Sequence, residues 1–336
     1  MVSGNEQLTD IETGCGQTRG NGRPDMEKQK FMETKRRPAQ RLKQSVPFYL
    51  MLLPGMVLLF LFNYLPLYGW KIAFQKFIPA KGLFGDQKWV GTYWFKYIAN
   101  YPDFLRALRN TLLISFEKLA LGLVIAILFS ILINEIRNSK LKRTVQTIVY
   151  LPHFLSWIIL SGVLIDILSP STGIVNKLIM AMGGQSVFFL GDNRFFQGTM
   201  VVTDIWKEFG FNTIVYLAAI TSIDPSLYES AVMDGANRLQ QIIHITLPGM
   251  LPIIMLMLLL NIGSVMNANF DQIFNLYSPT VYKTGDVLDT LVYRIGLVNA
   301  NYSLSTAIGI FKSLVSMVLV GTSYLSAYKF AGYRIF

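Results

Sequence analysis

Chemistry-bearing side chains are scarce in this sequence. The one cysteine, Cys15, sits in a polar stretch, so neither a disulfide within the chain nor a thiolate metal site can be assembled. The two histidines, His153 and His244, are far apart and lack metal-ligand spacing, which leaves no nucleophile and base arrangement and points away from an enzyme. No Gly-x-x-x-x-Gly-Lys-Ser/Thr run occurs, and the dipeptide Gly-Lys is absent altogether. Phosphate binding of the P-loop kind is thereby excluded. Charge is also sparse: 15% of the 336 residues are charged and 52% are hydrophobic, a balance that a water-soluble domain of this length does not sustain. The net charge of +10 sits between apolar runs, unlike the basic patch of a polar nucleic-acid-binding domain.

Long apolar runs are what the sequence has. Crossing a hydrocarbon core of about 30 Å takes on the order of 20 apolar residues in a helix, and six stretches approach that length: 46–66, 111–133, 146–168, 198–221, 248–267 and 304–327. The period-two alternation of a barrel is missing, and inside a bilayer every backbone amide needs a partner within the protein. The expected fold is therefore an all-α membrane protein of six transmembrane helices over residues 46–336. Pro54, Gly55, Gly162, Gly210, Pro252 and Gly263 fall within the expected spans, so kinks are expected. Residues 1–45 are polar and end in the basic run Lys35, Arg36, Arg37, Arg41 and Lys43; they read as a disordered cytoplasmic tail and not as a cleaved leader.

Orientation follows from lysine and arginine near the membrane ends. The tail is basic, and the turn between the second and third stretches carries Arg137, Lys140, Lys142 and Arg143. Both belong in the cytoplasm, which puts the two termini there. The segment 67–110 is also basic and falls outside, but its aromatic end, Trp89 to Tyr101, has the character of an interfacial segment.

Between the fourth and fifth stretches the chain reads IDPSLYESAVMDGANR. Asp224 and Pro225 make a helix start, a short helix runs to about Met233, and Gly235 stands where a left-handed residue would end it. A second short helix from Arg238 to Thr246 is expected before Pro248 opens the fifth span. By spacing alone this knob is either a plain connection or a docking element.

Glu229, Ser230 and Ala231, three residues, Gly235, nine residues, then Ile245, Thr246, Leu247 and Pro248 resemble the EAA loop of permease subunits in binding-protein-dependent ABC importers, with Ser230 in place of the second alanine. Asp234, Gly235 and Ala236 match the Asp-Gly-Ala frequent there. The likeness runs from about Val90 to the C-terminus and includes Asn110, Thr111, Leu151, Pro152 and Gly173 to Asn176. The closing region, Tyr293 to Gly296 and Tyr302 to Lys312, is similar to oligosaccharide permeases of the carbohydrate-importer group, with lipo-oligosaccharide and alginate types the nearest in kind. The resemblance implies a type I importer bundle in the bacterial plasma membrane, with a coupling helix seated in a separate ATPase. It further implies two ATPase copies that bind the ATP and magnesium, a second homologous permease, and an extracytoplasmic solute-binding protein that delivers an oligosaccharide. No cofactor is expected in this chain.

Polar residues inside the spans are the candidate pathway, because lipid-facing polar groups are costly. Asp204, Lys207, Glu208, Phe211 and Asn212 fall on one helical face by spacing, as do Asn261, Ser264, Asn267, Ala268 and Asp271. The alternative is an internal ion-paired cluster of Asp204, Lys207 and Glu208, with amides bonding between helices. An ion-gradient-driven secondary transporter would also use Asp204 and Glu208, as a proton relay, but such transporters are commonly built from repeats, and none is visible.

Overall fold

The computed structural model describes residues 38–331. The expected tail as far as Arg37, Cys15 included, and the C-terminal Arg334 lie outside the described residues. The chain divides into two compact units, Met1–Leu67 and Tyr68–Phe336.

In the first unit helix α1 spans Pro38–Leu59, so the stretch 38–45, expected as tail, is helical. Proline at a first helical position loses no bond, and Ala39, Gln40, Arg41, Leu42 and Lys43 are strong helix formers. A widened turn, Phe60–Tyr64, and a tightly wound stretch, Leu65–Phe74, continue it.

The second unit begins at Tyr68, within that stretch, and continues with β1, Gln75–Lys76, paired antiparallel to β2, Lys88–Trp89; these are the only strands among the described residues. Helix α2, Tyr93–Ala99, follows, with Tyr97 stacked on Tyr93 at 6.5 Å and on Tyr101 at 5.6 Å. Helix α3, Pro102–Glu135, is the longest element and contributes buried side chains to all three apolar clusters of the unit: Phe104 and Ala107, Ile114, then Ala126 and Ile131. Next come α4 (Ser139–Tyr150), a tight turn (Leu151–Phe154), α5 (Trp157–Ile167) and α6 (Ile174–Ala181). Helix α7, Phe196–Thr221, packs along α3.

The knob is α8, Pro225–Met233, followed by α9, Arg238–Gln241. A widened turn, Ile242–Thr246, leads from α9 into α10, Leu247–Ile262. The chain then breaks and resumes as α11 (Phe270–Leu276), α12 (Tyr282–Gly285), α13 (Leu288–Tyr293), a widened turn (Arg294–Val298) and α14 (Tyr302–Ala331).

Among the described residues four helices are long and apolar enough to cross a membrane, Val46–Phe74, Pro102–Glu135, Arg238–Ile262 and Tyr302–Leu325, and a fifth crossing arises if α4 and α5 count as one broken span. The expected third span is thus not one straight helix: its two halves meet at 104°. Pro152 supplies no amide to the ladder, and Ser156 restarts the helix by capping Ile159. The expected fourth span, α7, is long enough at 26 residues, but Asp204, Lys207 and Glu208 lie within two turns of one another and lower its apolar character. The expected separation of a short helix from the fifth span at Pro248 does not occur. The Ile242–Thr246 turn, with its longer i to i+5 bonding, absorbs the amide that Pro248 lacks, so α9 and the span are one helix, Arg238–Ile262.

Helices α4 and α7 come into close contact at Gly210, where a Cβ would lie 2.3 Å from the Val149 carbonyl oxygen. Gly210→Ala is expected to destabilise the protein by about 1–3 kcal/mol, the usual effect of overpacking, and to lower the thermal midpoint in detergent. Gly198→Ala on the same helix meets nothing within 4 Å and serves as the control that loses no stability.

Candidate functional site

A cleft of about 400 Å³ opens between α3, α7 and the end of α10, within the size range of small-molecule sites. Its α3 wall is Ser115, Lys118, Leu119, Gly122, Leu123 and Ala126, positions spaced by three and four that share one helical face. The α7 wall is Asp204, Glu208, Asn212 and Tyr216, one residue per turn. Asn261, Ser264, Val265, Asn267 and Asn269 close the third side.

Six of the residues expected from sequence therefore line one cleft: Asp204, Glu208, Asn212, Asn261, Ser264 and Asn267. Lys207 and Phe211 do not. Each sits one position before a cleft residue, about 100° round the helix, and faces the bend between α4 and α5. There Lys207 Nζ donates to the His153 carbonyl at 2.9 Å and to Glu208 Oε1 at 2.9 Å, and it lies 5.6 Å from the centre of the Trp157 ring. The His153 imidazole stacks on Phe211 at 3.9 Å and meets Glu208 Oε2 at 2.7 Å. The second expected face is likewise divided. Helix α10 ends at Ile262 and α11 starts at Phe270 after Asn269 adopts a left-handed conformation, φ 64°; Ala268 is buried and Asp271 belongs to the next helix.

Sequence reasoning missed Lys118. Its ammonium reaches Asp204 Oδ1 at 3.2 Å, the Ala268 carbonyl at 3.2 Å and Gln272 Oε1, and only 9% of its side chain is exposed. Asp204 Oδ1 also accepts from Asn269 Nδ2 at 3.0 Å. One carboxylate thus ties α3, α7 and the break after α10 together. The signal was present, since a lone lysine deep in an apolar run is costly unless it is paired.

Not every polar group on the wall is occupied. Asn261 Nδ2 donates to the Met257 carbonyl and Ser264 Oγ to the Asn261 carbonyl, each at 2.8 Å. The Ser115 hydroxyl is buried without a partner, and the side-chain amides of Asn212 and Asn267 make no hydrogen bond among the described residues. The amides of Asn212 and Asn267 present donors and acceptors to whatever enters.

At the far end of the Arg238–Ile262 helix the knob is tightly built. The Ala236 amide donates to the Ala231 carbonyl at 2.9 Å and the Gly235 amide to the Val232 carbonyl at 3.0 Å, the two bonds of a Schellman turn, with Gly235 at φ 78°. Asn237 and Gln240 form a reciprocal capping box at 2.9 and 2.8 Å. Tyr228 Oη meets Thr246 Oγ1 at 3.0 Å and so pins α8 to the continuing helix. The Ser226 amide holds the Asp224 carboxyl below its ordinary range, so this cap stabilises the folded knob above the usual carboxylate titration and is lost as the pH falls through it. Glu229 and Ser230 remain exposed, while Ala231, Asp234, Gly235 and Ala236 border a shallow hollow with Gln240, His244 and Ile245. Leu247 and Pro248 lie within the continuous helix.

The family model described as "Binding-protein-dependent transport system inner membrane component" matches residues 118–322. The chain belongs to this family of ABC importer permeases. The permease is 40% identical to Protein LplB of Bacillus subtilis (strain 168) over 286 residues, covering 85% of this chain and 90% of the relative. It is 40% identical over 298 residues to the polygalacturonan/rhamnogalacturonan transport system permease protein YteP of the same organism, with 89% and 92% covered. Among solved structures, a bacterial ABC transporter involved in the import of the acidic polysaccharide alginate superposes with a TM-score of 0.81 at 40% identity, covering 88% of the permease and 99% of that chain. The alginate transporter in complex with an alginate pentasaccharide-bound periplasmic protein gives 0.80 at 39% identity, with 88% and 98% covered. The permease thus has a helical membrane-type fold that matches type I importer permeases and is a transport subunit.

Proposed function

We propose that this permease forms half of the pathway through which an acidic oligosaccharide crosses the bacterial plasma membrane. A solute-binding protein delivers the sugar, a second homologous permease completes the pathway, and two ATPase subunits that bind ATP and magnesium drive it by gripping the knob. One observation carries the reading: the second half of the knob runs on as a single helix, Arg238–Ile262, to the wall of the polar cleft, and α8 is pinned to that helix through Tyr228 and Thr246, so a force on Glu229, Ser230, Ala231, Asp234, Gly235, Ala236, Ile245, Leu247 and Pro248 is passed on to the wall that holds Asn261.

Six crossings follow if the bent α4 and α5 make the third and α7 the fourth. Helix α7 tolerates its ionisable residues because Asp204 and Glu208 face the cleft and Lys207 faces His153 and Trp157, away from lipid. The Arg238 to Glu135 approach of 4.0 Å puts the knob on the same side as the basic turn after α3, which the positive-inside rule assigns to the cytoplasm; both termini then share that side. Support for the substrate class comes from the similar proteins, one named for polygalacturonan and rhamnogalacturonan and one for the acidic polysaccharide alginate, and from the unpaired amides of Asn212 and Asn267 in the cleft that holds Lys118. Cleft groups without internal partners suit a hydroxyl-rich ligand.

The test is uptake by vesicles that contain the permease with its partner permease, ATPase and binding protein. ATP-dependent uptake of oligogalacturonate at least tenfold above a neutral oligosaccharide of equal length, a difference of about 1.4 kcal/mol, is expected. Uptake by vesicles holding this chain alone, driven by an ion gradient, would replace the reading with a secondary transporter.

A further inference from the structure

Beside the cleft lies a second hollow, of about 550 Å³, between α11, α13 and the start of α14. Asn267 borders both spaces. The hollow takes its walls from Phe270, Asp289, Tyr293, Tyr302 and Lys312, two clusters of which the sequence marked in the closing region. Its rings are held in place from behind. Phe274 stacks on Phe270 at 5.0 Å and stands edge-on to Tyr293 at 4.8 Å, which leaves Phe270 and Tyr293 5.9 Å apart and tilted by 51°. Tyr302 is braced edge-on by Phe77 at 5.9 Å. Opposite the rings, Lys312 Nζ meets Asp289 Oδ1 at 2.5 Å, with 17% and 23% of the two side chains exposed.

This combination has a specific chemistry. Rings alone would suit a lipid tail, but a carboxylate and an ammonium in the same wall oppose it. An ion pair alone would be a fastener between α13 and α14, yet here it fronts an open volume. The Tyr293 and Tyr302 hydroxyls have no hydrogen-bond partner among the described residues. A pyranose ring satisfies all of these at once: its C–H face lies on an aromatic face, and its vicinal hydroxyls bond to carboxylate, ammonium and phenol.

We infer that this hollow is a second sugar-ring subsite, continuous through Asn267 with the polar cleft and on its outer side, so that the permease holds an oligosaccharide across more than one ring. The inference rests on the proposed function, including its orientation. It makes chain length, and not only charge, a determinant of affinity. A short oligomer fills the cleft alone, whereas a longer one also occupies the hollow.

The experiment measures uptake of galacturonate di- and tetrasaccharides by the assembled transporter in vesicles. Tyr293→Ala is expected to raise the ratio of tetrasaccharide KM to disaccharide KM about tenfold, the scale of one lost ring contact, and Tyr293→Phe to keep the ratio within about threefold. Tyr302→Ala should shift the ratio in the same direction, which covers the case in which the first variant does not fold. Asn212→Ala, in the cleft, should raise both KM values together. An unchanged ratio in Tyr293→Ala and Tyr302→Ala, or equal loss at both lengths, overturns the subsite while leaving the importer reading intact. Dissociation of the sister permease from Tyr293→Ala on gel filtration also overturns it, in favour of a subunit contact. Wild-type vesicles that take up neither sugar overturn the importer reading and the subsite with it.

Discussion

Exchange of Glu229 for lysine is expected to cut substrate-stimulated ATP hydrolysis by the assembled transporter about a hundredfold, and transport with it, while the chain still inserts and pairs with its sister permease. Glu229 is exposed on α8 and has no ion-pair partner among the described residues, so nothing inside the permease depends on its charge. If an ATPase groove complements that charge, reversal juxtaposes like charges at a docked surface, which costs several kcal/mol; a hundredfold corresponds to about 2.7 kcal/mol. Gly235→Val should give the same result by another route. A β-branched residue at φ 78° is strained by about 1–3 kcal/mol, enough to open the Schellman turn and misplace Glu229. The measurement is ATP turnover in nanodiscs with and without loaded binding protein. Normal stimulation in both variants would remove the docking role from the knob.

Lys118→Met is expected to lower the stability of the folded permease by about 3–5 kcal/mol, because removal of one partner leaves a buried charge without its counter-ion. Asp204 would keep only the Asn269 amide, and α3 would lose its ion pair to α7. Asp204→Leu alone should do comparable harm by stranding the ammonium between Ala268 and Gln272. The double variant should recover at least half of the loss, since an apolar pair of similar volume needs no compensation; Gln272 keeps its bonds to Met200 O at 2.8 Å and Thr203 Oγ1 at 2.9 Å. Thermal unfolding of the four proteins in one detergent decides the matter. Additive losses in the double variant would mean that the two charges do not depend on each other.

What could be read from the sequence was what is decided locally. Asp224, Gly235 and Asn237 govern their own turns, and the knob was legible down to the left-handed glycine. Apolar length likewise located α3, α10 and α14, because a bilayer imposes it on each helix separately. Where two distant segments decide together, the reading fell short. The 104° bend depends on where α5 finds its neighbours, since Pro152 permits a bend but does not set its angle. Spacing correctly grouped Asp204, Glu208 and Asn212 but swept in Lys207 and Phe211, because a periodicity count cannot say which neighbouring helix occupies the next 100° of the circle. The second polar face held for Asn261, Ser264 and Asn267 and lost Ala268 and Asp271 for a plainer reason: the helix that would have carried it stops at Ile262, and Asn269 turns the chain. Lys118 was passed over because its partner is 86 positions away, a separation that no local pattern reports.

The joint at Ile242–Thr246 sets how far one end of the structure can displace the other. With that turn wound through, Arg238–Ile262 counts 25 residues, about 37 Å of stiff rod. A swing of about 10° at one end carries the opposite tip roughly 6 Å sideways. Had Pro248 cut the rod in two, the same swing would have been spent on flexing the cut and would not have arrived at Asn261.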